Sequence, residues 1–245
     1  MTLPPPTIVI FDMDGTTVRH MSPWLLNVME WLDDMSYKIG SFITKYSGFR
    51  TKAPFDGVVN KGEVKKRRLL VHRAIHFLRR KEVDQIVEPC PKVIEVLEFF
   101  KSHNIPMGIA SNGLGVGYGD DILQKFNLEQ YFDVAIFRED INQAKPHPEA
   151  IMRALEQMLN KVTRDDVIWY IGDRWKDMQA AFNAKKLLPC PIIPFAYGPN
   201  AALQAFIDST LKTDNKMLPE QRLISYEDML NVLSKVFQAN DKKAV

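Results

Sequence analysis

Short β-branched or aromatic runs recur along the chain, each followed by a turn and then by an amphipathic stretch. This alternation reads as strands exchanging with helices, the grammar of a parallel α/β sheet. Strands are expected over residues 7–12, 106–111, 133–137, 167–172 and 191–196. The first four end close to a polar or acidic residue. Open α/β sheets bind ligands outside the carboxyl ends of their strands, so Asp12, Ser111 and Asp173 should converge there, and Lys145 can join them from the loop after the third strand.

Spacing supplies the next architectural clue. Asp12 and Ser111 lie 99 residues apart, whereas a βαβ unit needs only about 30 residues. The surplus implies an insertion over residues 17–87, with two apolar helical stripes: Trp24, Leu25, Val28, Leu32 and Met35, then Val71, Ala74, Ile75 and Leu78. The expected organisation is a Rossmann-like core of residues 1–16 and 88–245 carrying a helical cap domain over 17–87. The chain should re-enter the core through a helix that starts near Pro91, a favourable first-turn residue, and ends near His103. A last helix is expected over residues 225–237.

Composition narrows the class without changing this picture. With 245 residues, 46% hydrophobic and 25% charged, the chain has the usage of a soluble globular protein, which excludes disorder, collagen and a disulfide mini-scaffold. Cys90 and Cys190, each beside a proline, form neither a disulfide framework nor a CxxC metal site, so a reducing cytoplasm is the expected location. The start MTLPPPTIVIF has no basic leader region. Residues 187–207 are long enough to span a membrane, but Pro189, Pro191, Pro194, Gly198 and Pro199 make a buried strand followed by turns the better reading. No membrane partner is expected. The net charge of +2 names no polyanionic partner either. It is unevenly spread: residues 17–92 hold 15 Lys/Arg against 8 Asp/Glu, and the remainder 17 against 22.

The chemistry concentrates after the first strand. Ile8-Val9-Ile10-Phe11-Asp12-Met13-Asp14-Gly15-Thr16 sets two carboxylates just past a buried strand. Carboxylates there need a partner, because an unpaired buried charge is costly. A hard divalent cation is the simplest one, and Mg²⁺ suits one or two carboxylates plus a substrate phosphate. One carboxylate can then act as nucleophile and the other as general acid and base.

These residues and three later stretches resemble the haloacid dehalogenase superfamily phosphatases that carry a helical cap after the first strand, the phosphoglycolate phosphatase-like group. Asp12-Met13-Asp14-Gly15-Thr16 is similar to the first motif, with Asp12 at the nucleophile position and Asp14 at the acid/base position. Ala110-Ser111-Asn112-Gly113 resembles the second, whose hydroxyl holds a phosphoryl oxygen. Lys145 in Lys145-Pro146-His147-Pro148-Glu149 matches the third, a cation facing nucleophile and phosphate. Ile171-Gly172-Asp173-Arg174-Trp175-Lys176-Asp177-Met178 matches the fourth, where Asp173 would ligate Mg²⁺ and Asp177 would support the metal site or the lysine. The resemblance implies a hydrolase with a Rossmann-like α/β core acting through an aspartyl-phosphate. Its catalytic residues would be Asp12, Asp14, Ser111 and Lys145, its phosphate ligands Ser111, Asn112 and Lys145, and its metal ligands Asp12, Asp14 and Asp173. The expected substrate is a small phosphate ester such as phosphoglycolate, a sugar phosphate or a nucleotide. Thr17, where many members have leucine, and the bulky Arg174-Trp175-Lys176 depart from the common pattern and bear on substrate. A phosphomutase would keep the same four motifs, and a binding protein using a basic cap would not need them.

Other features read more plainly. Gly113-Leu114-Gly115-Val116-Gly117-Tyr118-Gly119 fails the GxGxxG register, so a loop that helps admit substrate is expected rather than a dinucleotide site. His72 and His76 are spaced like zinc ligands, but Arg73 stands where HExxH has glutamate. His147, between two prolines, is not expected to act as a base. Lys65-Lys66-Arg67-Arg68, with Arg73, Arg79, Arg80 and Lys81, reads first as a solvated helix face and next as an attractor of anionic substrate. Nucleic-acid binding is not expected, since the whole chain lacks the required basicity.

Overall fold

The computed structural model describes residues 3–21, 87–158, 162–210 and 216–241. The expected cap helices, His72, His76 and the basic run from Lys65 lie outside the described residues. The chain divides into one unit of residues 1–19 and 87–245 and a second of residues 20–86.

Six strands form one sheet in the order β5-β4-β1-β6-β7-β8, every neighbouring pair parallel. They are β1 (Ile8–Phe11), β4 (Met107–Ala110), β5 (Val134–Ile136), β6 (Ile168–Gly172), β7 (Ile192–Tyr197) and the short edge strand β8 (Arg222–Leu223). A separate two-stranded sheet pairs β2 (Val18–His20) with β3 (Val87–Pro89). Among the described residues six α-helices accompany them: α1 (Val93–Ser102), α2 (Asp120–Lys125), α3 (Glu149–Met158), α4 (Trp175–Lys185), α5 (Pro199–Thr210) and α6 (Tyr226–Asp241). The five expected core strands are all present, within a residue or two at each end. β8 and the β2–β3 pair escaped notice because two or three residues are too few to show a period.

Strands covered on both faces read as continuous apolar runs. All of Ile8 to Phe11 and all of Ile168 to Gly172 are buried. Ile8, Ile10, Ile168 and Tyr170 pack in one cluster with Ala150, Ile151, Ala154 and Leu155 of α3 and with Ala180, Ala181 and Ala184 of α4. The opposite face is aromatic. Phe11 meets Phe100 of α1 and Phe132 edge-on, with ring centroids 6.2 and 5.9 Å apart, and Phe100 meets Trp169 in the same manner. On α1, Val93, Val96, Leu97 and Phe100 recur at helical spacing and are buried, so the expected re-entry helix is a core helix. Trp175 also turns inward, edge-on to Phe182. Its bulk serves packing.

β1 is central, with β4 on one side and β6 on the other. Successive loops leave the sheet in opposite directions from this point, which opens a crevice at the carboxyl ends of these three strands. Neighbouring strands lie only about 4.8 Å apart, so residues just past those ends fall within reach of one another.

Candidate active site

Asp12 continues the β1 ladder by one residue, its N–H donating to the Ile171 carbonyl at 2.8 Å, while Thr17 Oγ1 donates to its carbonyl at 2.7 Å. The chain then turns tightly: the N–H groups of Thr17 and Val18 donate to the Met13 carbonyl, and Gly15 N–H donates to Val18 O at 2.7 Å. Gly15 takes φ +82°, a conformation that side chains disfavour, and a Cβ there would overlap Asp173 Oδ2. The glycine therefore lets the β1 and β6 loops close on each other.

At the centre sits a buried ion cluster. Lys145 Nζ lies 2.5 Å from Asp12 Oδ1 and 2.6 Å from Asp177 Oδ1. Asp12 is 7% exposed, Lys145 6% and Asp177 3%. Tyr170, fully buried on β6, donates its hydroxyl to Asp177 Oδ1 at 3.1 Å, and Asp177 Oδ2 caps α4 by accepting from Arg174 N–H at 3.1 Å. The Lys145 backbone is fixed as well, its N–H donating to Asn112 Oδ1 at 2.9 Å. Asn112, expected to hold phosphate, thus tethers the lysine loop through its side-chain oxygen.

Asp12, Asp173 and Asp177 each offer a carboxylate oxygen within 4.8 Å of the others. The Asp14 side chain is engaged differently: Tyr118 donates its hydroxyl to Asp14 Oδ1 at 2.5 Å. Ser111, 1% exposed, accepts the Gly113 N–H at 2.9 Å, which leaves its own hydrogen available to donate. His147 is exposed and its Nδ1 accepts from the Glu149 N–H, a local loop role.

The electrostatics follow from three clustered carboxylates, two of which, Asp12 and Asp177, pair with one buried ammonium. Burial raises the Asp12 carboxyl above the usual range against the pull of Lys145. Burial works to lower Lys145, but Asp12 and then Asp177 outweigh it and hold the ammonium charged. Asp173 is pushed up to about 7, by burial and then by Asp177, with Arg174 and Lys145 pulling the other way. Its Oδ1 is buried with no hydrogen-bond partner. An orphaned carboxylate oxygen beside two more hard oxygen donors fits a divalent cation, which would offset the excess negative charge. Asp12, Asp173 and Asp177 are the residues that would hold it.

Sequence reasoning missed Tyr118, which stands in the glycine-rich run, and Tyr170, whose place in a buried strand matches that of a core aromatic. It also missed Tyr226 of α6, fully buried, whose hydroxyl donates to Thr16 O at 3.0 Å while its ring stacks on Tyr197 at 4.3 Å. The glycine-rich run, expected to be a loop that admits substrate, is instead fastened: Gly115 and Val116 N–H groups donate to Glu139.

Residues 9–186 match the family model described as haloacid dehalogenase-like hydrolase. A phosphoglycolate phosphatase of Aquifex aeolicus is 26% identical over 179 residues, which cover 72% of this chain and 80% of that protein. A phosphorylated carbohydrates phosphatase of Thermotoga maritima is 29% identical over 167 residues, 67% and 68% of the two chains. Among solved structures, a HAD-superfamily hydrolase of Ehrlichia chaffeensis superposes with a TM-score of 0.52 at 22% identity, covering 96% of this chain and all of that one. A hydrolase of Pseudomonas syringae gives 0.55 at 18%, over 95% and 99%. At these identities the two structures speak for the fold.

Proposed function

Because the chain belongs to the haloacid dehalogenase-like hydrolase family, we propose that it is a Mg²⁺-dependent phosphomonoesterase acting through an aspartyl-phosphate on a small phosphorylated metabolite. The observation that carries this reading is the buried Asp12–Lys145–Asp177 cluster with Asp173 beside it, at the carboxyl ends of the central strands. The phosphatase names of the two relatives support the same reaction class. Mg²⁺, when bound, would supply positive charge that lets phosphate approach three carboxylates and spreads the charge of the transferring group.

In this reading Asp12 attacks phosphorus in line, and the bond to the ester oxygen breaks as Asp14 gives that oxygen its proton. Water then attacks the aspartyl-phosphate, Asp14 takes its proton, and the bond to Asp12 breaks, releasing inorganic phosphate. Lys145 stays charged, restrains Asp12 Oδ1 and faces the incoming oxygens, while the Ser111 hydroxyl donates to one of them. A cytoplasmic location fits the two thiols, both free.

A panel of phosphate esters, including phosphoglycolate, sugar phosphates and nucleoside monophosphates, assayed with and without Mg²⁺ tests the reading. Mg²⁺-dependent release of inorganic phosphate is expected from at least one ester. It should vanish in Asp12→Asn, which keeps the shape but removes the nucleophile. Undiminished turnover in Asp12→Asn, or release that ignores Mg²⁺, would overturn the proposal.

A further inference from the structure

The glycine-rich run after β4 is built to hold one group still. Gly115 N–H and Val116 N–H donate to the two carboxylate oxygens of Glu139 at 3.0 and 3.2 Å, and Gly119 N–H donates to Leu114 O at 3.0 Å. Gly115 and Gly119 are buried against the Phe137 ring so closely that a Cβ on either would overlap it. A segment fastened at its base in this way can present a side chain in a fixed place. The side chain it presents is Tyr118, whose hydroxyl donates to Asp14 Oδ1 at 2.5 Å.

The other oxygen of Asp14 is located by the start of the same run. A Cβ on Gly113 would stand 3.1 Å from Asp14 Oδ2 and 3.3 Å from Ser111 Oγ. Asp14 Oδ2 and Ser111 Oγ therefore both lie close to Gly113. A side chain at this position would press on both oxygens by a few tenths of an ångström.

We propose that Tyr118 is a positioning residue for Asp14: its hydroxyl holds Oδ1, which sets Oδ2, close to Gly113, as the oxygen that exchanges protons with the reacting groups. This rests on the phosphomonoesterase reading above. In the first half-reaction the proton leaves Asp14 Oδ2 for the ester oxygen while the bond from phosphorus to that oxygen breaks and the bond to Asp12 forms. In the second, a water proton passes to Oδ2 as the water oxygen bonds to phosphorus and the bond to Asp12 breaks. Protons, phosphoryl group and charge balance over the cycle.

A carboxylate that loses the hydrogen bond holding one of its oxygens is less well placed, and a misplacement of about 1 Å can lower a rate roughly 100-fold. The loss should fall where the proton matters. Tyr118→Phe keeps the ring and removes the hydroxyl, so with Mg²⁺ present kcat/KM for an alkyl phosphate should drop about 10- to 100-fold, within the range of general-acid contributions. For p-nitrophenyl phosphate, whose leaving group departs without a proton, the drop should be under about 3-fold on the same principle. Asp14→Asn, run alongside, should show the same selectivity more strongly.

The outcomes separate the two claims. Alkyl-selective loss in both variants supports the inference. Alkyl-selective loss in Asp14→Asn, with Tyr118→Phe matching wild type or losing equally on both esters, overturns Tyr118 and leaves the phosphatase reading standing. Absence of Mg²⁺-dependent phosphate release by wild type overturns both. A crystal structure of Tyr118→Phe gives a readout independent of turnover: the Asp14 carboxylate should have turned away from Gly113, and an unmoved carboxylate overturns the inference.

Discussion

Lys145 carries more of this site than any other single charge, yet it cannot balance it. Asp12 and Asp177 both lean on its ammonium, while Asp173, with one oxygen buried and without a hydrogen bond, has only the longer Arg174 Nε pair at 3.9 Å. A cation that binds the folded protein alone stabilises it by mass action, by about 2.7 kcal/mol at one hundred times its dissociation constant. For a chain of this size that is a rise in Tm of roughly 5–10 °C. Wild type stripped of metal and then titrated with Mg²⁺ should show such a rise by calorimetry. Asp173→Asn should lose it, yet melt no lower than wild type in the metal-free state, because the amide removes a largely buried charge whose ion-pair partner, Arg174 Nε, stands 3.9 Å away. Equal Mg²⁺-dependent rises in the two proteins would show that Asp173 does not hold the ion. Asp12 and Asp173 were legible in the sequence as acidic residues just past strand ends and Lys145 as a cation in a loop that can reach them, whereas Asp177 came only with the resemblance to the fourth motif. Tyr118 and Tyr170 were not legible: a tyrosine hydroxyl matters only through what lies opposite it, and that is set by chain neighbours 104 and 7 residues away.

At the scale of elements, the strands that hold the site could be read because they are buried on both faces and therefore uniformly apolar. The helices α1 and α6 appeared close to where the apolar period placed them. What stayed hidden was the junction between elements. β2 and β3 bracket the insertion in a two-stranded sheet, with Arg19 bridged to Glu88 at 2.7 Å and Cys90 N–H donating to Thr17 O. Pairings across 69 residues leave no local trace. α6 was expected as a terminal helix with no stated task, but its first residue, Tyr226, reaches the loop that follows Asp12. Tyr226→Phe removes that hydroxyl and leaves the Thr16 carbonyl short of a donor in a buried place, at a cost of about 1–3 kcal/mol. Urea denaturation should register the loss. A stability equal to wild type would mean that α6 holds the loop by ring packing alone, through the Tyr197 stack.

For the whole molecule, charge is the property that survives when single contacts are set aside. Residues 17–92 carry an excess of seven positive charges and the remainder an excess of five negative ones. Asp12, Asp14, Asp173 and Asp177 crowd the crevice with carboxylates, which would repel a phosphate ester at a distance before Lys145 and a cation act on it at close range. A basic insertion can offset that repulsion by raising the local concentration of anions. Lys65, Lys66, Arg67 and Arg68 supply four of its charges in one run, outside the described residues. Reversing all four to glutamate should lower kcat/KM at low salt, through the association step, with kcat unchanged. Added salt should narrow the gap between the two proteins, since exposed charges are screened beyond roughly 8–10 Å at physiological ionic strength. A helix face that is merely solvated gives the same kcat/KM for both proteins at every salt concentration. Steady-state assays at low and high salt therefore decide between steering and solvation, and equal values at low salt would end the steering account.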